Sequence, residues 1–370
     1  MNGSGGGSSF VPKSKPVVGL AFEGDEVKDW TGGELYNRHL YRGWANVAEV
    51  SFLKIRHRWF LCRLHGLALI LHYLRVLRRC DWVVQDASSM FRSRLLIHLS
   101  RLLCPRARHL GIIHHPRWLE SSSYRRFEKA FFNDFDQIIT VSRHIEQQLR
   151  EAGVMRPISI LPPGASLNRE YARDKIEKDN DLVIWSGHLF ERKGPHILLE
   201  ALALLPAELR FHAVFVTAGR KDPDFGRIFE TQIKTGPLKE RVELLDRLPD
   251  GQYFELMRRA GIFCLPSGVE GYSIATAQAM SWGCAILVPR TANFIELIGD
   301  ENYQGFFNLD DAGDLARSLR EVLVNRSARE AMVSVTIKRA GELYSWEDFE
   351  NAGAQLLEKI AANQAGSGNL

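Results

Sequence analysis

Short apolar runs alternate, along almost the whole chain, with stretches whose apolar positions recur every three to four residues. The runs predict strands and the spaced stretches predict helices. In the first half, strands are expected over Val17–Phe22, Val50–Leu53, Trp82–Val84, Leu110–His114, Gln137–Val141 and Ile158–Leu161. Helical spacing falls between them, as over Leu35–Val47, Leu95–Leu103, Ser122–Phe132 and Arg143–Ala152. After the turn Leu161-Pro162-Pro163-Gly164, the polar stretch Asn168–Asp181 has the composition of a linker. Apolar runs restart at Leu182–Trp185 and recur at Phe211–Val216, Val242–Leu245, Ile262–Leu265 and Ala285–Val288. Helices are expected at about His196–Leu205, Phe225–Lys234, Tyr253–Arg259, Ile274–Trp282 and Asp311–Leu323, and the tail from Tyr344 to Ile360 reads as one amphipathic helix. Alternating β and α units build parallel sheets with helices on both faces. Two such halves imply an α/β chain of two doubly wound domains, with the carboxyl ends of both sheets on one cleft, where ligands of such sheets bind. The expected division is a flexible tail over 1–15, a first domain over 16–167, a linker over 168–181, a second domain over 182–343, and a closing helix and tail over 344–370.

Composition narrows the class. A chain of 370 residues, 45% hydrophobic and 25% charged, is that of a soluble globular protein large enough for two cores. Cys62, Cys80, Cys104, Cys264 and Cys284 form no C-x-x-C and no paired framework, so they read as small buried hydrophobes of a reducing compartment. The Gly/Ser-rich start lacks the apolar core of a signal peptide, and no apolar run is long enough to span a bilayer. The net charge of +4 is unevenly spread: between Ser51 and Leu119 thirteen Lys or Arg face two acids, Asp81 and Asp86. Within it, residues 52–79 mix cations with Trp59, Phe60 and many Leu, a composition suited to a helix on an anionic membrane surface. A core helix with a solvated basic face fits the same residues. No recognised nucleic-acid module accompanies the charge, so nucleic acid is not an expected partner.

Candidate chemistry concentrates in residues 262–289, IFCLPSGVEGYSIATAQAMSWGCAILVP. This is a strand, a loop with Gly268 and Gly271, a short helix ended by Gly283, and a second strand. Ser273 is a candidate N-cap whose hydroxyl would accept from first-turn N–H groups. A strand-to-helix turn of this kind aims backbone donors and the positive end of a helix dipole at one point, which suits a phosphate. Glu270 stands at its mouth, where a carboxylate can accept hydrogen bonds from sugar hydroxyls. No G-x-G-x-x-G follows a strand and no G-x-x-x-x-G-K-[ST] loop is present, which argues against nicotinamide, flavin and nucleoside-triphosphate chemistry.

The segment from Glu270 to Met280 resembles the E-x7-E box of retaining glycosyltransferases of the GT-B fold, family four. Glu270 matches the first Glu, whereas Gln278 stands where the family has its second and Ser273 where it often has Gly. The resemblance implies that Glu270 faces the donor sugar, that the position of Gln278 faces the ribose, and that the amides of Gly271, Tyr272, Ser273 and Ile274 take diphosphate charge. Gly187 to Gly194 resembles the family's G-R-L-x-x-x-K-G element: Lys193 matches the phosphate-clamping Lys, His188 replaces the Arg, and Arg192 is a compensating charge. Trp30-Thr31-Gly32-Gly33-Glu34 is similar to the G-G-x-E loop, which places Gly32, Gly33 and Glu34 near donor phosphates and acceptor. His114-His115-Pro116 looks like the V-x-H-x-P strand end, with His114, or His115 as the alternative, touching the transferring sugar. The stretch around Leu248 stands where the nucleobase binds through backbone, and Ser345-Trp346-Glu347 resembles the S-W-E box opening the last helix, which crosses back to the first domain. The implied reaction is retaining transfer from a UDP- or GDP-linked sugar to a carbohydrate or lipid-linked acceptor, at the cytoplasmic face of a membrane. The implied chemistry uses no metal and no cofactor besides the sugar nucleotide. Gln278 and His188 leave open a weakly active or inactive relative that binds an active transferase, and a sugar-nucleotide epimerase is a third reading.

Overall fold

The computed structural model describes residues 15–23, 31–55, 75, 77–86, 90–169 and 177–367. Two six-stranded parallel sheets organise them. In the first, the strands β1 (Val17–Glu23), β2 (Glu49–Ile55), β3 (Trp82–Asp86), β4 (Arg108–Ile113), β5 (Gln137–Thr140) and β6 (Ile158–Ile160) lie in the order β2-β1-β3-β4-β5-β6. In the second, β7 (Asp179–Leu189), β8 (His212–Lys221), β9 (Val242–Leu245), β10 (Ala260–Cys264), β11 (Ala285–Pro289) and β12 (Phe306–Phe307) lie in the order β12-β11-β10-β7-β8-β9. Strands covered on both faces need apolar side chains on both, which is why they read as continuous runs. Val83, Val84, Ile112 and Ile113 are buried in the first domain, and Val183 to Trp185 and Ile286 to Val288 in the second.

Every expected strand is present within a few residues. The strand that opens the second domain begins at Asp179, inside the stretch read as linker. Its polar start is held by parallel pairing of Asp179 with Ala260 rather than by burial. Three elements carried no readable pattern. Phe306–Phe307 is a two-residue edge strand, Ala292–Ile298 is a short helix, and Arg326–Ala340 is a helix whose buried face includes Arg329 and Thr336. The basic, apolar stretch 52–79 does not begin as a helix, because residues 52–55 belong to β2 and pair with β1. Residues 56–74, like the tail 1–14 and Trp30, lie outside the described residues. Cys80, Cys104, Cys264 and Cys284 are buried, as expected; Cys62 is outside the described set. Among the described residues no helix is long and apolar enough to cross a membrane.

The closing helix, Trp346–Ser367, packs on Gly32–Ala45 of the first domain. Trp44 Nε1 donates to the Gly353 carbonyl at 2.9 Å, His39 Nδ1 meets Glu350 Oε1 at 2.6 Å, and the His39 ring stacks on Trp346 at 4.1 Å. The second domain is therefore tied back to the helix that carries the Gly32–Gly33 loop. The domains also touch directly beside the cleft. Ser142 Oγ donates to the Gly271 carbonyl at 2.8 Å, and the Glu296 carboxylate accepts from the backbone N–H groups of Arg143 and His144, each at 2.8 Å. Glu296 thus caps a helix of the opposite domain, a favourable place for an anion.

Candidate active site in the interdomain cleft

A cavity of about 360 Å3 lies between the carboxyl ends of the two sheets. From the first domain it is lined by Gly32, Gly33, Tyr36, His114 and His115, and from the second by Gly187, His188, Arg192, Lys193, Arg220 and residues 269–275. Nearly every residue singled out from the sequence meets here. Three do not: Glu34, in the first turn of the Gly32–Ala45 helix, Gln278, half-buried further along the Ile274–Ser281 helix, and Leu248, half-buried against the second core, are not among the lining residues.

Two glycines explain how separate segments converge. Gly194 ends the Glu191–Lys193 turn with φ 65°, and a Cβ there would lie 2.1 Å from the Pro266 carbonyl oxygen. Any side chain would push the Lys193 turn off the loop that carries Glu270. At Gly271 a Cβ would lie 2.1 Å from the carbonyl oxygen of His114 in the other domain. These close approaches bring Lys193 against Glu270, and Glu270 opposite His114.

Glu270 is 9% exposed and bonds the Lys193 ammonium directly. Burial acts to raise its carboxyl, but Lys193, helped by Ser267 and Arg192, outweighs that and holds it below the ordinary carboxylate value. Glu270 is therefore an anion at neutral pH, able only to accept. Arg192 Nη1 donates to the Val269 carbonyl at 3.3 Å, and its Nε lies 3.2 Å from Glu120 Oε1 of the first domain. Glu120 is also 3.2 Å from His115 Nε2; that contact, against the opposing effect of burial and with Arg192 adding to it, keeps the Glu120 carboxyl below its usual value.

The phosphate-facing turn differs from expectation in one respect. Ser273 occupies the N-cap position, but its Oγ pairs with Thr276 Oγ1 at 2.8 Å and caps no backbone N–H. The reason is its backbone: at φ 82° and ψ 77° it lies in the left-handed region, which turns the hydroxyl away from the first-turn amides. Those amides consequently face the cavity without a side-chain cap. A left-handed serine carries strain of order 1 kcal/mol. Ser273→Gly is expected to raise the urea midpoint, by about 0.5–1 kcal/mol in stability. A lower midpoint would mean that the Ser273–Thr276 bond outweighs the strain.

His114 is held by partners that no motif announced. Its Nε2 lies 3.1 Å from Asn37 Oδ1 and 3.4 Å from Asp86 Oδ2, while Asn37 Nδ2 donates to Asp86 at 2.5 Å. The Tyr36 ring meets it edge-on at 4.8 Å, and Gly33 leaves room for its Cδ2, which a Cβ would approach to 3.1 Å. Asp86 ends β3 and Asn37 sits one turn into the Gly32–Ala45 helix. The available signal was a polar side chain at the carboxyl end of a parallel strand. Glu34 does not simply line a phosphate loop. It closes a capping box with Thr31 and lies 3.2 Å from Arg220 across the cleft. Among the described residues no group of three or more His, Cys, Asp or Glu side chains converges as a metal cluster.

Residues 168–339 match the family described as glycosyl transferases group 1, and residues 29–169 match glycosyltransferase family 4. The chain is 23% identical over 253 residues to the serotype-specific mannosyltransferase WbdA of Escherichia coli, across 64% of this chain and 31% of that protein. It is 28% identical over 198 residues to the phosphatidyl-myo-inositol mannosyltransferase of Mycolicibacterium smegmatis, across 53% of this chain and 48% of the relative. The matches thus span about a third to a half of those relatives' own lengths. Among solved structures, sucrose-phosphate synthase from Thermosynechococcus elongatus superposes with a TM-score of 0.74 at 17% identity, over 94% of this chain and 100% of that one. Anabaena HepE in complex with UDP-glucose superposes with a TM-score of 0.73 at 17% identity, over 93% and 100%. At these identities the structures establish the fold, and the two family matches, running together from residue 29 to residue 339, cover both domains. The chain belongs to the family-four glycosyltransferases of the GT-B fold.

Proposed function

We propose that this protein is a retaining glycosyltransferase that moves a sugar from a UDP- or GDP-linked donor to a hydroxyl of a polysaccharide or lipid-linked acceptor. One observation carries the reading. The Glu270–Lys193 pair lines one cavity with a helix N-terminus that has no side-chain cap, and His114 lines the same cavity from the opposite domain. Glu270 accepts from donor-sugar hydroxyls, and His114 touches the sugar from the other side. Lys193 and the amides of residues 271–274 take the charge that develops on the diphosphate. Fixed donors and cations aimed at developing charge lower such barriers more than other effects do. The bond from the anomeric carbon to the diphosphate breaks with its electron pair leaving on phosphate. The acceptor oxygen bonds to the same face, and its proton passes to the departing phosphate. The sugar nucleotide is the substrate, and neither a metal nor a further cofactor takes part. Gln278 and Leu248 are assigned to the ribose and base ends of the donor, beyond the cavity described.

A polymer or lipid-linked acceptor is supported by relatives named as a serotype-specific mannosyltransferase, a phosphatidyl-myo-inositol mannosyltransferase and a lipopolysaccharide glucosyltransferase. Peripheral docking on the cytoplasmic membrane face is supported by exposed Arg78, Arg79, Arg106 and Arg108 around the amino ends of β3 and β4, near exposed Leu102 and Leu103. The test is a panel of UDP- and GDP-sugars with membrane extract as acceptor, reading released nucleotide and the anomeric configuration of the product. Release with retained configuration is expected. Inverted product would overturn the retaining step, and binding without release would turn the reading towards a partner of an active transferase.

A further inference from the structure

The cavity's cations are unequally placed to meet a diphosphate. Lys193 is already bonded to Glu270. Arg192 is turned to the Val269 carbonyl and to Glu120. His188 accepts the backbone N–H of Arg220 on Nδ1 at 3.3 Å. Arg220 is different. It follows Gly219, whose φ of 97° turns the chain at the carboxyl end of β8, beside the Gly187–His188 end of β7. Its side chain lines the cavity and is half exposed, and its guanidinium lies 3.2 Å from Glu34 Oε1 in the opposite domain.

Resting on the transferase reading above, we propose that Arg220 is a diphosphate-binding residue of this cleft, and that Glu34 competes with the diphosphate for its guanidinium. An ion pair this open to water contributes little and exchanges easily. A nucleoside diphosphate brings more charge than one carboxylate and accepts a guanidinium fork on two oxygens. Glu34 is fixed in place for the competition: its Oε2 accepts the Thr31 N–H at 2.6 Å in the capping box while Oε1 faces Arg220. A guanidinium on the strand beside the Gly187–His188 turn thus supplies positive charge at this edge of the cleft, and the first domain carries the anion that opposes it.

The two substitutions that test this have opposite signs. Arg220→Ala lowers affinity for UDP or GDP about 10- to 100-fold, the range for a lost hydrogen bond to a charged group, and lowers UMP or GMP affinity by much less. Glu34→Gln keeps a capping-box acceptor while removing the charge, and raises diphosphate affinity several-fold. Isothermal titration of the full chain with UDP, GDP, UMP and GMP measures all of these, with urea midpoints confirming that each variant is folded. Unchanged diphosphate affinity in Arg220→Ala, or an equal loss for mono- and diphosphate, overturns the assignment while leaving the transferase reading intact. Weaker diphosphate binding by Glu34→Gln overturns the competition. A wild-type chain that binds neither UDP nor GDP overturns both the assignment and the transferase reading.

Discussion

Glu270→Ala lowers the rate of sugar transfer about 10^3-fold while leaving nucleoside diphosphate affinity unchanged or tighter. The two halves of that expectation come from the same contact. Glu270 is held ionised against Lys193 in a buried place, so the variant removes the acceptor that grips the sugar hydroxyls. It also releases the Lys193 ammonium, which is then free for the diphosphate. A residue with a merely structural role would lower rate and affinity together. Glu270→Gln retains one hydrogen-bond acceptor without the charge and is expected to lose about 10^2-fold. Single-turnover transfer and UDP titration on the folded variants separate the outcomes. Near-wild-type transfer by Glu270→Ala would falsify the placement of the donor sugar.

The same contact shows what the sequence could and could not say. Glu270 was legible from the strand–loop–helix turn that carries it. Lys193 and His114 were legible through the resemblance of the segments around them to the family's G-R-L-x-x-x-K-G and V-x-H-x-P elements. Their surroundings were not legible, because the partners come from distant segments. Asn37 and Asp86 hold His114, Glu120 meets Arg192, and Glu34 meets Arg220. The first set exists only once β3, β4 and the Gly32–Ala45 helix are assembled, the other two pairs only once the two domains face each other, and a single chain of letters carries no sign of either register. Ser273 shows the converse. Its residue type favours capping, but the close approach of Gly271 to His114 belongs to a turn that leaves Ser273 left-handed, and tertiary packing overrode the local preference. The Arg326–Ala340 helix escaped notice for a related reason. Its buried positions Arg329, Met332, Thr336 and Ala340 have helical spacing, but two of the four are polar. Arg329 is tolerated because it reaches back to bond the Val322 carbonyl, a contact that closes the turn between two helices.

A second group lies where the residue pattern offered no reason to look, and it predicts how the first domain responds to acid. His109 sits in β4, fully buried, and neither ring nitrogen finds a hydrogen-bond partner among the described residues. Its backbone N–H donates to Asp136, and Asp136 in turn meets Arg101 at 2.8 Å. Burial is the main cause that lowers the imidazole to about 4; Arg101 and His98 push the same way, and Asp136 opposes them. Above pH 6.5 the ring is neutral in both folded and unfolded chains and has no effect on the balance. As pH falls from 6.5 towards 4, the unfolded chain takes up a proton that the folded chain refuses, so stability is lost across that window. The full loss is about 3 kcal/mol. His109→Leu keeps the volume and removes both orphaned nitrogens. The variant is therefore expected to match or exceed wild-type stability at about pH 7.5, with its advantage growing by about 2 kcal/mol at about pH 4.5. Urea denaturation of both proteins at the two pH values measures the difference, in which carboxylates common to both cancel. An advantage that stays constant with pH would mean that His109 is protonated in the folded chain, which requires an acceptor beside the ring; an advantage that shrinks would mean that its proton is held more tightly folded than unfolded.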